Sequence, residues 1–193
     1  YGALDEVVIE GLKKVLNKKK SNKTLIILHT MGSHGPAYFN RYPDEFEKFK
    51  PSCKSNEPQS CSLDELNNSF DNTIVYTDYI ISKAIDVLKQ EKESQNFLIY
   101  ASDHGESLGE NGVYLHAAPM AIAPKEQVHI PMLMWASENL KSNRKIVGKS
   151  YPEYRQFKNK ITHEYIRHTI LDFFNLKTPY LNSNKSMLSL QGN

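Results

Sequence analysis

No apolar stretch in this 193-residue chain approaches the ~20 residues that a helix needs to cross a bilayer, and no secretory leader opens it. Charge of one sign is also lacking. The 24 Lys and Arg nearly balance 22 Asp and Glu, a net charge of +2, which excludes the clustered basic surface of a nucleic-acid binder. The only basic run, Lys18-Lys19-Lys20, reads as a solvated helix end. Cysteine is scarce, with two residues, Cys53 and Cys61, and neither has His or Cys neighbours at zinc-finger spacing. Internal repeats, low-complexity segments and an initiating Met are absent too. The opening YGALDEVVIEGLKKVL has the pattern of an amphipathic helix already under way, so the expectation is a piece of a longer polypeptide, folded as one domain.

What is present begins with the loop between the two cysteines. KSNEPQS, residues 54–60, has no apolar side chain to hold itself closed, and a Cys53–Cys61 disulfide would close it. Such a bond implies an oxidising compartment outside the cytoplasm and contributes only ~2.5 kcal/mol for so short a loop. Apolar runs at Thr24–Leu28, Phe97–Ala101 and Ile130–Trp135 have the continuous character of strands buried on both faces. Between them, Ser62 and Glu65 stand at capping-box spacing, and Leu66, Phe70, Ile74, Thr77, Ile81, Ile85 and Leu88 recur at helical intervals. A last helical pattern starts near Thr162, with Tyr165, Ile166, Thr169, Ile170 and Phe173 on one face. Nearly all-apolar strands alternating with long helices predict an α/β fold, a mostly parallel sheet flanked by helices. The polar, Tyr-rich stretch from Asn139 to Lys160 is expected to be a surface excursion.

In such a sheet the ligand site lies beyond the carboxyl ends of the strands. The first run leads into HTMGSHGP, residues 29–36, and the second into SDHGES, residues 102–107. Asp103 offers an anionic oxygen and His104 an imidazole nitrogen, the mixed ligand set that suits Zn²⁺. Adjacent residues on a strand point to opposite faces, so both can reach one ion only after the strand has ended, and Gly105 suits that bend. His34, Glu106 and His116 would form a second ring, for another cation or for the charged ends of a substrate. His29, on the first strand, reads as a satisfied core histidine, and His129, His163 and His168 as structural or exposed.

Three segments, HTMGSHGPAYFNRYP (29–43), DNTIVYTD (71–78) and YASDHGESLGENGVYLH (100–116), closely resemble the lipid A phosphoethanolamine transferases, the family of the mobile colistin-resistance enzymes. The resemblance is strong from Thr24 to Trp135 and weaker in the final helix. It implies an alkaline-phosphatase-like or sulfatase-like fold, with this chain as the C-terminal portion of a single periplasmic catalytic domain, carried on an inner-membrane anchor. The implied activity is zinc-dependent transfer of phosphoethanolamine from phosphatidylethanolamine to lipid A, a modification that confers polymyxin resistance.

Carried over by position, the resemblance makes Asp103 and His104 zinc ligands, and sets His34, Glu106 and His116 around the phosphoethanolamine group or a second zinc. Cys53 and Cys61 match one of the family's disulfides. The family's nucleophilic Thr and a Glu ligand match nothing here and are expected upstream, so the chain alone is expected to be inactive. A sulfatase or phosphodiesterase of the same superfamily, or a non-catalytic fragment, are the alternative readings.

Overall fold

The longest element follows from its capping signal. In the computed structural model the Ser62 backbone N–H and hydroxyl both donate to Glu65 Oε2, at 2.9 and 2.8 Å, while the Glu65 N–H returns a bond to Ser62 Oγ at 3.3 Å. That reciprocal box starts a 28-residue helix, Leu63–Gln90, which we call α2. The structure describes residues 4–18, 21–144 and 161–188. The chain divides into two compact units, Tyr1–Gln90 with Ser102–Met132 and Glu91–Ala101 with Leu133–Asn193.

In the first unit, α1 (Glu6–Lys18) buries Ile9, Leu12 and Leu16 and packs against α2. The buried face of α2 is not the apolar stripe expected from sequence. Ile74 is 46% exposed, and the buried positions are Leu66, Ser69, Asn72, Thr73, Tyr76, Thr77, Ile80, Ala84 and Val87. Three of the polar residues enter this face because they bond the backbone or a hydroxyl of loops packed on it. Asn72 Oδ1 accepts from Lys48 and Phe49 N–H at 2.7 and 2.8 Å, Ser69 Oγ donates to the Cys53 carbonyl at 2.9 Å, and Thr73 Oγ1 bonds Ser33 Oγ at 2.6 Å. The Cys53–Cys61 disulfide is formed, with a Cα–Cα distance of 5.8 Å, and anchors the strap that Asn72 and Ser69 hold.

The same unit contains a small antiparallel ribbon, β2 (Ser107–Leu108) with β3 (Tyr114–Leu115), and the one-turn helix α3 (Lys125–Val128). In the second unit β1 (Phe97–Ala101) pairs with β4 (Met132–Ala136). Helices α4 (Glu138–Arg144) and α5 (Glu164–Phe173) complete it. Leu140 of α4 is fully buried. The Arg144 guanidinium pairs with Asp172 Oδ1 at 2.9 Å and donates to the Asp172 and Phe173 carbonyls, where a cation at a helix C-terminus is favourable.

The fold is α/β, but three expectations need correction. Thr24–Leu28 joins no ladder among the described residues; Leu25 and Ile27 are 55% and 82% exposed, and an extended run without a paired neighbour has no hydrogen-bonded strand to form. His29, at its end, is exposed and is not a core histidine. Residues 139–144 of the anticipated surface excursion lie in α4, and 145–160 fall outside the described residues. No described helix is long and apolar enough to cross a membrane.

Candidate metal and substrate site

Two loops of the first unit bring three histidines together. His34 comes from the 29–36 loop, His104 from the loop after β1, and His116 from the residue after β3, and one ligand nitrogen from each lies within 4.8 Å of the others. The ring centroids are 4.1 Å apart for His104 and His116, 5.0 Å for His34 and His116, and 6.1 Å for His34 and His104. On every ring Nδ1 faces an oxygen: the Gly35 carbonyl at 2.6 Å, the Gly105 carbonyl at 3.0 Å and Glu106 Oε1 at 3.0 Å. Carbonyls and carboxylates only accept, so Nδ1 of each ring donates, and Nε2 is the nitrogen of each ring that can serve as a ligand. Imidazoles fixed in that tautomer by an oxygen on the far nitrogen are prepared for a metal.

Glu106 lies beneath the rings with its side chain 4% exposed. It accepts from the Gly35 N–H at 3.2 Å, the Tyr38 hydroxyl at 3.2 Å and His116 Nδ1 at 3.0 Å. Its carboxylate thus ties both loops together and orients His116. Burial, and then the Glu106 charge, push the Tyr38 phenol far above its ordinary value, so Tyr38 remains a donor at any physiological pH. Asp103 is placed differently. Its side chain is 82% exposed, Oδ1 accepts from the His104 N–H at 3.0 Å, and the same oxygen lies 3.8 Å from His104 Nε2, at the solvent edge of the histidine group.

The loops are shaped by groups that sequence patterns do not single out. Asp5, 8% exposed, accepts from the Met31 and Gly32 N–H groups at 2.8 and 2.9 Å, and Gly32 has a φ of +52° that suits glycine. Gly105 is required for space more than for a bend, since a Cβ there would lie 1.8 Å from the Glu126 carbonyl oxygen. On either side of His116, Leu115 and Ala117 have φ of 65° and 71°, left-handed values that cost a non-glycine residue roughly 1–2 kcal/mol each. The buried Gln127 spans this stretch, its Nε2 donating to the Leu115 carbonyl at 2.9 Å and to Ser107 Oγ at 3.0 Å, and its Oε1 accepting from Ala118 N–H at 3.1 Å. Asp5 and Gln127 lie outside the resembling segments, and Tyr38 and Thr73 lie inside them without a role that spacing reveals, because each acts through a contact distant in sequence.

The family model described as Sulfatase matches residues 1–176. Phosphoethanolamine transferase EptA of Escherichia coli K12 is 53% identical over 136 residues, covering 70% of this chain and 25% of the relative. EptA of Helicobacter pylori is 42% identical over 176 residues, covering 91% of this chain and 32% of the relative. The chain thus spans a quarter to a third of the length of these curated relatives. Among solved structures, the C-terminal periplasmic domain of phosphoethanolamine transferase EptC from Campylobacter jejuni superposes with a TM-score of 0.87 at 41% identity, covering 98% of this chain and 59% of that one. The chain belongs to the sulfatase family, and within it its sequence and fold are similar to those of phosphoethanolamine transferases.

Proposed function

We propose that the chain is the C-terminal part of a periplasmic catalytic domain that transfers phosphoethanolamine from phosphatidylethanolamine to lipid A, working at the periplasmic face of the bacterial inner membrane through a nucleophilic Thr outside residues 1–193. The histidine group carries this reading: three imidazoles, each with Nδ1 engaged by an oxygen and Nε2 left for a ligand. That donor set fits Zn²⁺. A disulfide in the same unit agrees with an oxidising compartment. The match to the sulfatase family and the likeness to the Campylobacter periplasmic domain agree with an alkaline-phosphatase-like fold for the domain as a whole.

In this reading Asp103 and His104 are ligands to a zinc ion, and Asp103 Oδ1 lies 3.8 Å from His104 Nε2. His34 and His116 surround the phosphoethanolamine group or hold a further zinc. Zinc supplies Lewis acidity that neutralises charge on a phosphoryl group and lowers the pKa of a hydroxyl. The chain's own residues do the rest. Glu106 holds His116 and the Gly35 N–H in place, and Tyr38 keeps Glu106 there.

The test is lipid A mass spectrometry in a Gram-negative host expressing the complete polypeptide. Phosphoethanolamine addition is expected with the unaltered protein and is expected to vanish in His104→Ala. Unmodified lipid A together with hydrolysis of sulfate esters would overturn the reading in favour of a sulfatase.

A further inference from the structure

We infer that Gln127 is a positioning residue for His116, holding it within the histidine group through the strained backbone on either side. The proposal rests on the metal-site reading above and adds to it a residue that contacts neither the rings nor their carboxylate.

Three features converge on Gln127. It is 6% exposed, and every polar atom of its amide is used on one segment and its ribbon partner. The direction of those bonds is fixed, because a carbonyl must receive from Nε2 and a backbone N–H must give to Oε1. The two backbone groups it grips, the Leu115 carbonyl and the Ala118 N–H, bracket His116, and Leu115 and Ala117 both sit at positive φ. A conformation that side-chain-bearing residues disfavour persists only where its surroundings over-determine it. Across the ribbon, Ser107 receives the third bond, and α3 is itself pinned by the Gly105 N–H donating to the Gln127 carbonyl at 2.9 Å. Gln127 therefore binds the His104 loop with its backbone and the His116 turn with its side chain. Glu106 sets the tautomer of His116, and Gln127 sets where its ring stands.

The experiment uses the 193-residue chain with Zn²⁺ as the probe, read by competition with a chromogenic chelator and by the NMR signals of the histidine rings. In the unaltered chain the signals of His34, His104 and His116 are expected to shift together on zinc addition. Gln127→Ala is expected to weaken zinc binding by roughly 10–100-fold, the range for partners that orient a ligand, with His116 dropping out of the shifting set while His34 and His104 stay in it. Adding Ala117→Gly, which removes the cost of positive φ, is expected to recover much of the loss. Leu12→Ala, a destabilising change in α1, controls for stability and should leave the affinity of the folded protein unchanged. If Gln127→Ala does not fold, Gln127→Glu takes its place, keeping the volume and the acceptor while removing both donors. Wild-type affinity in a folded variant, with His116 still shifting, would overturn the proposal. If the unaltered chain takes up no zinc, the metal reading falls and the proposal is decided on the metal-free protein. Loss of the nuclear Overhauser contact between His104 and His116 in the variant then supports it, and persistence of that contact overturns it.

Discussion

The two loops that carry the histidines are held by different means. The 29–36 loop is suspended from side chains on two helices: Asp5, just before α1, takes its Met31 and Gly32 amides, and Thr73 of α2 takes the Ser33 hydroxyl. The 102–116 segment is instead fixed by backbone proximity, with Gly105 pressed against α3 and Gln127 reaching across from that helix. The first loop depends on polar groups alone, whereas the second depends both on the Gln127 amide and on the space that Gly105 leaves, so it also fails when an atom is added. Glu106 connects the two, accepting from Gly35 on one loop and His116 on the other.

This difference predicts an order of damage. Gly105→Ala should be worst, because its Cβ would fall 1.8 Å from a carbonyl oxygen of the backbone and neither partner is a flexible side chain. A loss exceeding ~4 kcal/mol in chemical denaturation, or failure to fold, is expected. A change under ~1 kcal/mol would mean that α3 is not tightly docked. Asp5→Ala strips two amides of a charged acceptor and should cost about 3 kcal/mol, with hydrogen exchange accelerated at Met31 and Gly32 and unchanged at Gly105. Exchange rising equally in both loops would erase the contrast. Thr73→Val keeps the shape and removes the partner of Ser33, for about 1 kcal/mol, again confined to the 29–36 loop.

The smallest effect is expected from Ser62→Ala, which removes the α2 cap and touches neither loop, at ~1 kcal/mol or below. It carries a pH signature. Bonds from the Ser62 backbone and hydroxyl hold the Glu65 carboxyl below its ordinary value of 4.5. A depressed carboxyl contributes stability above its unfolded-state pKa and loses it as the pH falls through its folded-state value. The deficit of Ser62→Ala relative to the unaltered chain should therefore shrink as the pH falls below the ordinary carboxyl value of 4.5 in a thermal melt series. A deficit that grows on acidification would refute the capping role.

Much of this could be read from the sequence because it depends on neighbours. The capping box, the long helix after it and the strands expected at Phe97–Ala101 and Ile130–Trp135 rest on spacings of a few residues, and they appear as Leu63–Gln90, Phe97–Ala101 and, shifted by one to two residues, Met132–Ala136. Cys53 and Cys61 are eight residues apart, and their loop offered no other closure. The stripe chosen for α2 was rotated because hydrophobicity ranked Ile74 above Asn72 and Thr73. A scale of side-chain polarity cannot register that a buried amide or hydroxyl answers a loop arriving from elsewhere in the chain.

The sequence by itself determined the family and named candidates for the site, since HTMGSHGP and SDHGES place chemistry-bearing residues at fixed offsets after apolar runs. Tertiary structure alone decided how they are grouped. His34, His104 and His116 come from positions up to 82 residues apart and meet, while Asp103, adjacent to His104, stays largely exposed at their edge with Oδ1 3.8 Å from His104 Nε2. The physical reason is that a side chain's reach is a few ångströms whereas its direction is set by backbone dihedrals, and those are fixed here by Asp5, Gly105 and Gln127, each acting through a contact that no local pattern encodes.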